Sequence, residues 1–294
     1  MNNIVEIPQN KIHLSIKRED EISGSISGNK YRKLKYNLIE AKKLNLRTIL
    51  TFGGAFSNHI AAVANAGKAF DLKTIGIIRG DELKHKKELN PTLIQAKNNG
   101  MFLKFVDRNT YRNKSDHSFL EQLKLEFGDF YLLPEGGTNA LAVKGCEEIL
   151  NIDDQDFTHI CCPVGTGGTL AGIINSSHVS QKVIGFPALK GDFLNAEISK
   201  FTRNSNWQLI TDYHFGGYAK INEQLISFIN QFKVTYNIQL DPIYTGKMMF
   251  GILDLIKNGF FHEDDRILAI HTGGLQGIAG INEKLKHMNL EILE

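Results

Sequence analysis

The chain has 294 residues, 42% apolar and 22% charged, the composition of a folded globular protein long enough for roughly two domains. With 34 Lys and Arg against 32 Asp and Glu, it lacks the basic surplus of a nucleic-acid-binding protein. No apolar run approaches the roughly 18 residues of a membrane helix, and "MNNIVEIPQNKIH" lacks the blocks of a secretory leader.

The first strong helical pattern follows Gly28 and Asn29. Leu34, Leu38 and Ala41 recur at helical spacing, which predicts a helix opening near Lys30. Beyond it, short β-rich runs alternate with amphipathic helical ones. "RTILTF" precedes "SNHIAAVANAGKAF", "KTIGII" precedes a helix after Pro91, and "MFLKFV" precedes "DHSFLEQLKLEF". "DFYLL", "HICCPV", "KVIGF" and "ILAI" each lead into a helical run in the same way. This alternation predicts an α/β fold of parallel sheets covered by helices on both faces. No internal repeat or long linker is visible, so domain boundaries fall in short loops. Cys146, Cys161 and Cys162 show no C-x-x-C spacing and read as small buried hydrophobes in a reducing cytosol. A cytoplasmic protein without a metal site is expected.

Four strand-to-helix junctions are rich in glycine: "TFGGAFSNH", "LPEGGTNALA", "CCPVGTGGTLAGI" and "HTGGLQG". In the third, Gly165, Thr166, Gly167, Gly168 and Thr169 offer backbone N–H groups and hydroxyls to an anion at a helix N-terminus. The loop is not a Walker A loop, and Leu170 occupies the place of the third glycine of G-x-G-x-x-G. A tight turn that needs glycine for close packing is the alternative. Ser57 lacks the G-x-S-x-G frame of a hydrolase nucleophile and reads locally as a helix N-cap. Taken together, four such turns point to one charged ligand.

Lys30 stands at a helix start, where the positive end of the dipole favours acids over lysines. At 100° per residue it falls on the side of Leu34, Leu38 and Ala41, with Arg32, Lys33 and Lys35 assigned to the flank or the opposite side. Burial and the dipole both lower an amine's pKa, which suits a nucleophile; a lysine snorkelling to solvent is the alternative. The lysines of residues 30–35 read otherwise as a solvated helix face.

"SGNKYRKLKY", "GGAFSNHIAAVA", "PEGGTNA", "GTGGTLAG" and "DPIYTGKMMFGI" occur in the order found in one group of pyridoxal-phosphate enzymes. Over about residues 17–277 the chain resembles the 1-aminocyclopropane-1-carboxylate deaminase/D-cysteine desulfhydrase family, which has the tryptophan synthase β-subunit-like fold. The resemblance implies two three-layer α/β/α domains with mostly parallel sheets and pyridoxal 5'-phosphate in the cleft between them. The large domain would take residues 1–36 plus 138–294, and the small domain residues 37–137. Lys30 would form the internal aldimine, and Ser57 would act on the substrate side as nucleophile or acid/base. Asn58 would meet the cofactor's 3'-oxygen, and Gly165 to Thr169 its phosphate. Tyr218 and Tyr244 match active-site tyrosines, and Thr245 matches the residue facing the pyridine nitrogen. Deaminases of the cyclopropane amino acid have glutamate at that last position.

Phe56 replaces a glutamine of many members, "GGYAKI" lacks the usual glycine after its tyrosine, and the chain is shorter than typical members. The resemblance implies a homodimer acting on a small amino acid, most like D-cysteine desulfhydrase, with no nucleic-acid or membrane partner. 1-Aminocyclopropane-1-carboxylate deaminase is the alternative; a serine hydrolase or a non-catalytic cofactor-binding protein are the remaining ones.

Overall fold

A computed structural model of the chain describes residues 4–9, 12–22, 26, 28–85 and 88–294. Ser27, in the block that precedes Lys30, lies outside them.

The chain opens with an antiparallel hairpin of β1 (Ile4–Gln9) and β2 (Ile12–Lys17), then enters α1 (Asn29–Lys43). Four parallel strands follow: β3 (Thr48–Gly53), β4 (Lys73–Arg79), β5 (Met101–Val106) and β6 (Tyr131–Leu133). They form a sheet of order β5-β4-β3-β6, interleaved with α2 (Asn58–Phe70), α3 (Pro91–Asn98), α4 (Arg108–Arg112) and α5 (His117–Phe127). The remainder runs through α6 (Ala140–Cys146), β7 (His159–Val164), α7 (Gly168–Ser176), β8 (Lys182–Pro187) and α8 (Phe193–Ser199). It continues with β9 (Trp207–Leu209), α9 (Glu223–Tyr236), α10 (Thr245–Lys257), β10 (Arg266–Ile270) and α11 (Ile278–His287). These strands join the hairpin in a six-stranded sheet, β1-β2-β10-β7-β8-β9, in which β1 with β2 is the antiparallel pair.

Both sheets are covered on both faces, as the unbroken apolar strands require. Leu50, Phe52, Ile75 and Ile77 pack towards Tyr111 and Leu123 of α4 and α5. Ile49 and Ile78 pack the other way, against Leu34, Ile60, Val63 and Leu93 of α1, α2 and α3. In the larger sheet, Cys161, Ile184, Ile267 and Ala269 face α9 and α10, while Cys162, Val183, Leu268 and Ile270 face α6 and α7. The adjacent cysteines therefore serve opposite faces of one strand, buried and free as thiols. Burial of one such apolar side chain contributes about 1.5–3 kcal/mol. No described helix is long and apolar enough to cross a membrane.

The expected α/β alternation is present, with strands and helices on the predicted runs. The hairpin β1–β2 and the segment from β9 to α9 lie in stretches where the sequence pattern raised no expectation.

Candidate active site

In parallel sheets, ligands bind beyond the carboxyl ends of the strands. Here the ends of β3, β4, β6, β7 and β10 all open on one cavity of about 500 Å³. All four glycine-rich turns contribute to its wall, through Gly54, Gly136, Gly165 and Gly273 among others. Lys30 and Lys33 enter from α1.

The start of α1 is fixed by a close approach. Gly28 has φ +68°, and a Cβ there would lie 2.1 Å from the carbonyl oxygen of Thr272, at the end of β10. Asn29 donates its N–H to that same oxygen (3.1 Å) and its side-chain amide to Thr169 Oγ1 (2.8 Å). Lys30 is thereby held at the cavity wall, its Nζ 3.5 Å from the carbonyl of Gly136. Burial first, and the charge of Lys33 second, lower its pKa to about 7. A large share of this amine is unprotonated at neutral pH, as a nucleophile requires.

Lys33 corrects the sequence expectation. It is not on the flank of α1; it is 2% exposed and turned into the same cavity as Lys30. Three residues along a helix is a rotation of about 60°, so the two lysines share a side. Its ammonium donates to Gly136 O (3.1 Å), Thr138 Oγ1 (2.9 Å) and Thr166 Oγ1 (3.4 Å), tying "PEGGTNA" to "GTGGT". Arg32 and Lys35 point elsewhere: Arg32 to Glu19 (3.0 and 3.1 Å), and Lys35 to Glu148 (2.7 Å).

Gly165, Thr166, Gly167 and Thr169 line the cavity; Gly168 opens α7 immediately behind them. At the cavity wall Ser57 caps α2, its Oγ accepting from Ile60 N at 3.3 Å. Asn58 follows at the positive end of that helix, with Oδ1 buried and unpartnered among the described residues. His59 is buried beside Thr51, its Nε2 2.8 Å from Thr51 Oγ1, and burial pushes its pKa well down. No hydrogen bond joins it to Ser57 among the described residues, so the pair needed by a serine hydrolase is not assembled here.

Tyr244 and Tyr218 meet edge to face across the cavity wall, ring centroids 6.3 Å apart. Gly165 makes room for the first: a Cβ there would lie 3.2 Å from the Tyr244 ring and hydroxyl. Burial raises the pKa of both tyrosines, so both keep their protons at neutral pH and act as donors.

Thr245 is the second correction. It is fully buried and absent from the cavity wall, because its polar groups are spent on Asp241. The Thr245 hydroxyl donates to Asp241 Oδ1 and accepts from Asp241 N, both at 2.8 Å. Asp241 also accepts from the N–H groups of Ile243, Tyr244 and Thr245, capping α10. Spacing in the sequence does not reveal this cap. Arg79, at the end of β4, is a further cavity residue outside every sequence motif; its guanidinium stands 5.7 Å from the Tyr111 ring centre.

The residues fit a phosphate-bearing aldehyde. The cavity offers a depressed-pKa amine, a fixed cation beside a glycine-threonine cradle, and the side-chain amide of Asn58 at its wall.

A family model described as pyridoxal-phosphate dependent enzyme matches residues 2–273. An Arabidopsis thaliana protein named bifunctional D-cysteine desulfhydrase/1-aminocyclopropane-1-carboxylate deaminase, mitochondrial, is 30% identical, covering 92% of this chain and 74% of its own. A Pyrococcus horikoshii protein provisionally named 1-aminocyclopropane-1-carboxylate deaminase is also 30% identical, over 92% and 87% of the two chains. Among solved structures, a homologue of that deaminase superposes with a TM-score of 0.85 at 28% identity, over 98% of this chain and 93% of that one. An O-acetylserine dependent cystathionine beta-synthase from Helicobacter pylori, 16% identical, shares the fold with a TM-score of 0.69 over 94% and 93%.

Proposed function

The chain belongs to the pyridoxal-phosphate dependent enzymes and is a lyase or deaminase of that family; from this premise we propose that it is a D-cysteine desulfhydrase. The reaction would convert D-cysteine and water to pyruvate, ammonia and hydrogen sulfide. The α-proton is lost, the Cβ–S bond breaks, and water releases the nitrogen.

Lys30 would hold the cofactor, Lys33 and Gly165 to Thr169 its phosphate, and Asn58 its ring oxygen; when bound, the cofactor supplies the electron sink. Lys30 Nζ, with a pKa near 7, is suited to moving a proton at the substrate's α-carbon. Ser57 Oγ and the N-terminus of α2 would orient the substrate carboxylate and serve in proton transfer. The Tyr218 and Tyr244 hydroxyls, held protonated, would donate to the leaving sulfur. The same reading divides the chain at residues 37–137 and takes it as a homodimer.

The observation that carries the choice of substrate is that, among the described residues, the start of α10 presents no carboxylate to the cavity: neither Asp241 nor Thr245 lines it. A carboxylate presented to the cavity from there would keep a pyridine nitrogen protonated and the electron sink strong. Thr245 has no charge, and its one proton goes to Asp241. Asp241 itself is saturated by donors from residues 243–245 and does not line the cavity. Expelling a thiolate asks less of the sink than opening a ring at carbon. The deaminase reading, favoured by the names of the relatives, predicts 2-oxobutyrate from the cyclopropane substrate instead. Supplying D-cysteine, L-cysteine and 1-aminocyclopropane-1-carboxylate to the loaded enzyme decides. Pyruvate from D-cysteine with little 2-oxobutyrate is expected; efficient opening of the cyclopropane overturns the choice.

A further inference from the structure

Lys247 is a buried lysine that no step above uses. It is 2% exposed and stands one turn beyond Tyr244 on α10. Its Nζ donates to the backbone carbonyls of His214 (2.8 Å) and Gly217 (2.9 Å). Burial lowers its pKa to about 8, with nearby Asp241 acting in the opposite direction, so it remains mostly charged at neutral pH.

Those carbonyls belong to the loop that presents Tyr218, and the loop's backbone is unusual. φ is positive at Phe215 (52°), Gly216 (89°), Gly217 (112°) and Ala219 (53°). Phenylalanine and alanine enter this region at an energetic cost, and such a conformation persists only when its surroundings over-determine it. α10 supplies the surroundings. Phe250 meets the Phe215 ring edge-on at 5.1 Å, and Asp254 accepts from the Tyr213 hydroxyl at 2.7 Å. Gly251 lets the Tyr213 ring lie against the helix, since a Cβ there would come within 2.8 Å of it. Residues 247, 250, 251 and 254 share one face of α10. The helix that begins after Tyr244 thus also grips the loop carrying Tyr218.

Stability alone does not explain a lysine here. Methionine would fill similar space without desolvating a charge, and burying an ammonium against carbonyls alone is costly. The His214 and Gly217 carbonyls already accept from Gly217 N (3.0 Å) and Lys220 N (3.2 Å); the Lys247 ammonium adds a second, charged donor that bridges the two.

We propose that Lys247 is a positioning residue, whose ammonium pins the His214 and Gly217 carbonyls and so holds Tyr218 beside Tyr244 at the cavity. The proposal rests on reading Tyr218 as an active-site residue. The test uses the cofactor-loaded full chain as wild type, Lys247→Met, Tyr218→Phe and the double variant, with Lys247→Gln, a neutral donor, as a second probe if Lys247→Met fails to fold. Amide hydrogen exchange is followed over residues 213–220 together with kcat. Lys247→Met should speed loop exchange by about 10-fold or more, as expected when a local hold is released, and lower kcat by about 10²-fold through misplacement. In the Tyr218→Phe background the same substitution should cost less than about 2-fold, because the two act as one unit. Unchanged loop exchange, or a kcat loss that persists in full without the Tyr218 hydroxyl, overturns the proposal. Normal turnover by Tyr218→Phe refutes the active-site reading of Tyr218 and with it the catalytic half of the proposal, while loop exchange still decides whether Lys247 holds the loop.

Discussion

Lys30→Ala is expected to fold normally and lose at least about 10³-fold in turnover, the range of a positioned proton-transfer group. The variant should not unfold, for three reasons. Alanine is the best helix former, and residue 30 lies in the first turn of α1. Among the described residues, the side chain it removes makes only a long contact to Gly136 O, at 3.5 Å. The change also relieves repulsion between two cations in one cavity. What is lost is the amine itself. Because the Lys30 pKa is depressed from 10.5 to about 7, the neutral amine dominates above about pH 7. Capture of pyridoxal phosphate by the cofactor-free protein should therefore quicken as pH rises through 7 and fade below it. Near-normal turnover by Lys30→Ala, with a pH-independent capture rate in wild type, would remove Lys30 from its role.

Gly168→Asp is expected to strip the protein of cofactor. A Cβ at Gly168 would lie 2.7 Å from Thr138 Cγ2 and 2.8 Å from Thr138 Oγ1. Thr138 cannot move aside cheaply, since its hydroxyl is held by Lys33 (2.9 Å) and by Thr166 (2.6 Å). The new carboxylate would sit close to Lys33 and the glycine-threonine loop proposed to hold the phosphate, repelling that anion and competing for the cation. Disrupting one such buried charge pairing costs about 3 kcal/mol, or roughly 10²-fold in Kd. Gly168→Ala keeps the steric change without the charge and should lose less. Both are read by cofactor absorbance after gel filtration; full retention by Gly168→Asp contradicts the phosphate assignment.

The fold was legible because most of the parallel strands are largely apolar runs that lead into glycine-containing turns, and the covering helices repeat at their own period. The glycine turns were legible as one site because consecutive glycines are rarely needed for packing alone. Lys33 was open to detection by the same helical arithmetic that placed Lys30, but a lysine among charged neighbours reads by default as solvated. Thr245 was beyond reach. Its burial follows from a carboxylate four residues upstream folding back to cap α10, and spacing does not show that turn. Ser57 shows both sides at once: the N-cap is visible in sequence and present in structure, and a cap at a cavity wall is free to hold a second role.

The central claim is that Lys30, and not its neighbour one turn on, carries the cofactor. Among the described residues Lys33 has each of its three protons directed at an oxygen, whereas Lys30 has one distant acceptor. Borohydride reduction of the loaded protein followed by peptide mapping tests this directly. A single pyridoxyl label on Lys30 is the predicted result; a label on Lys33, or none on residues 28–43, would contradict it.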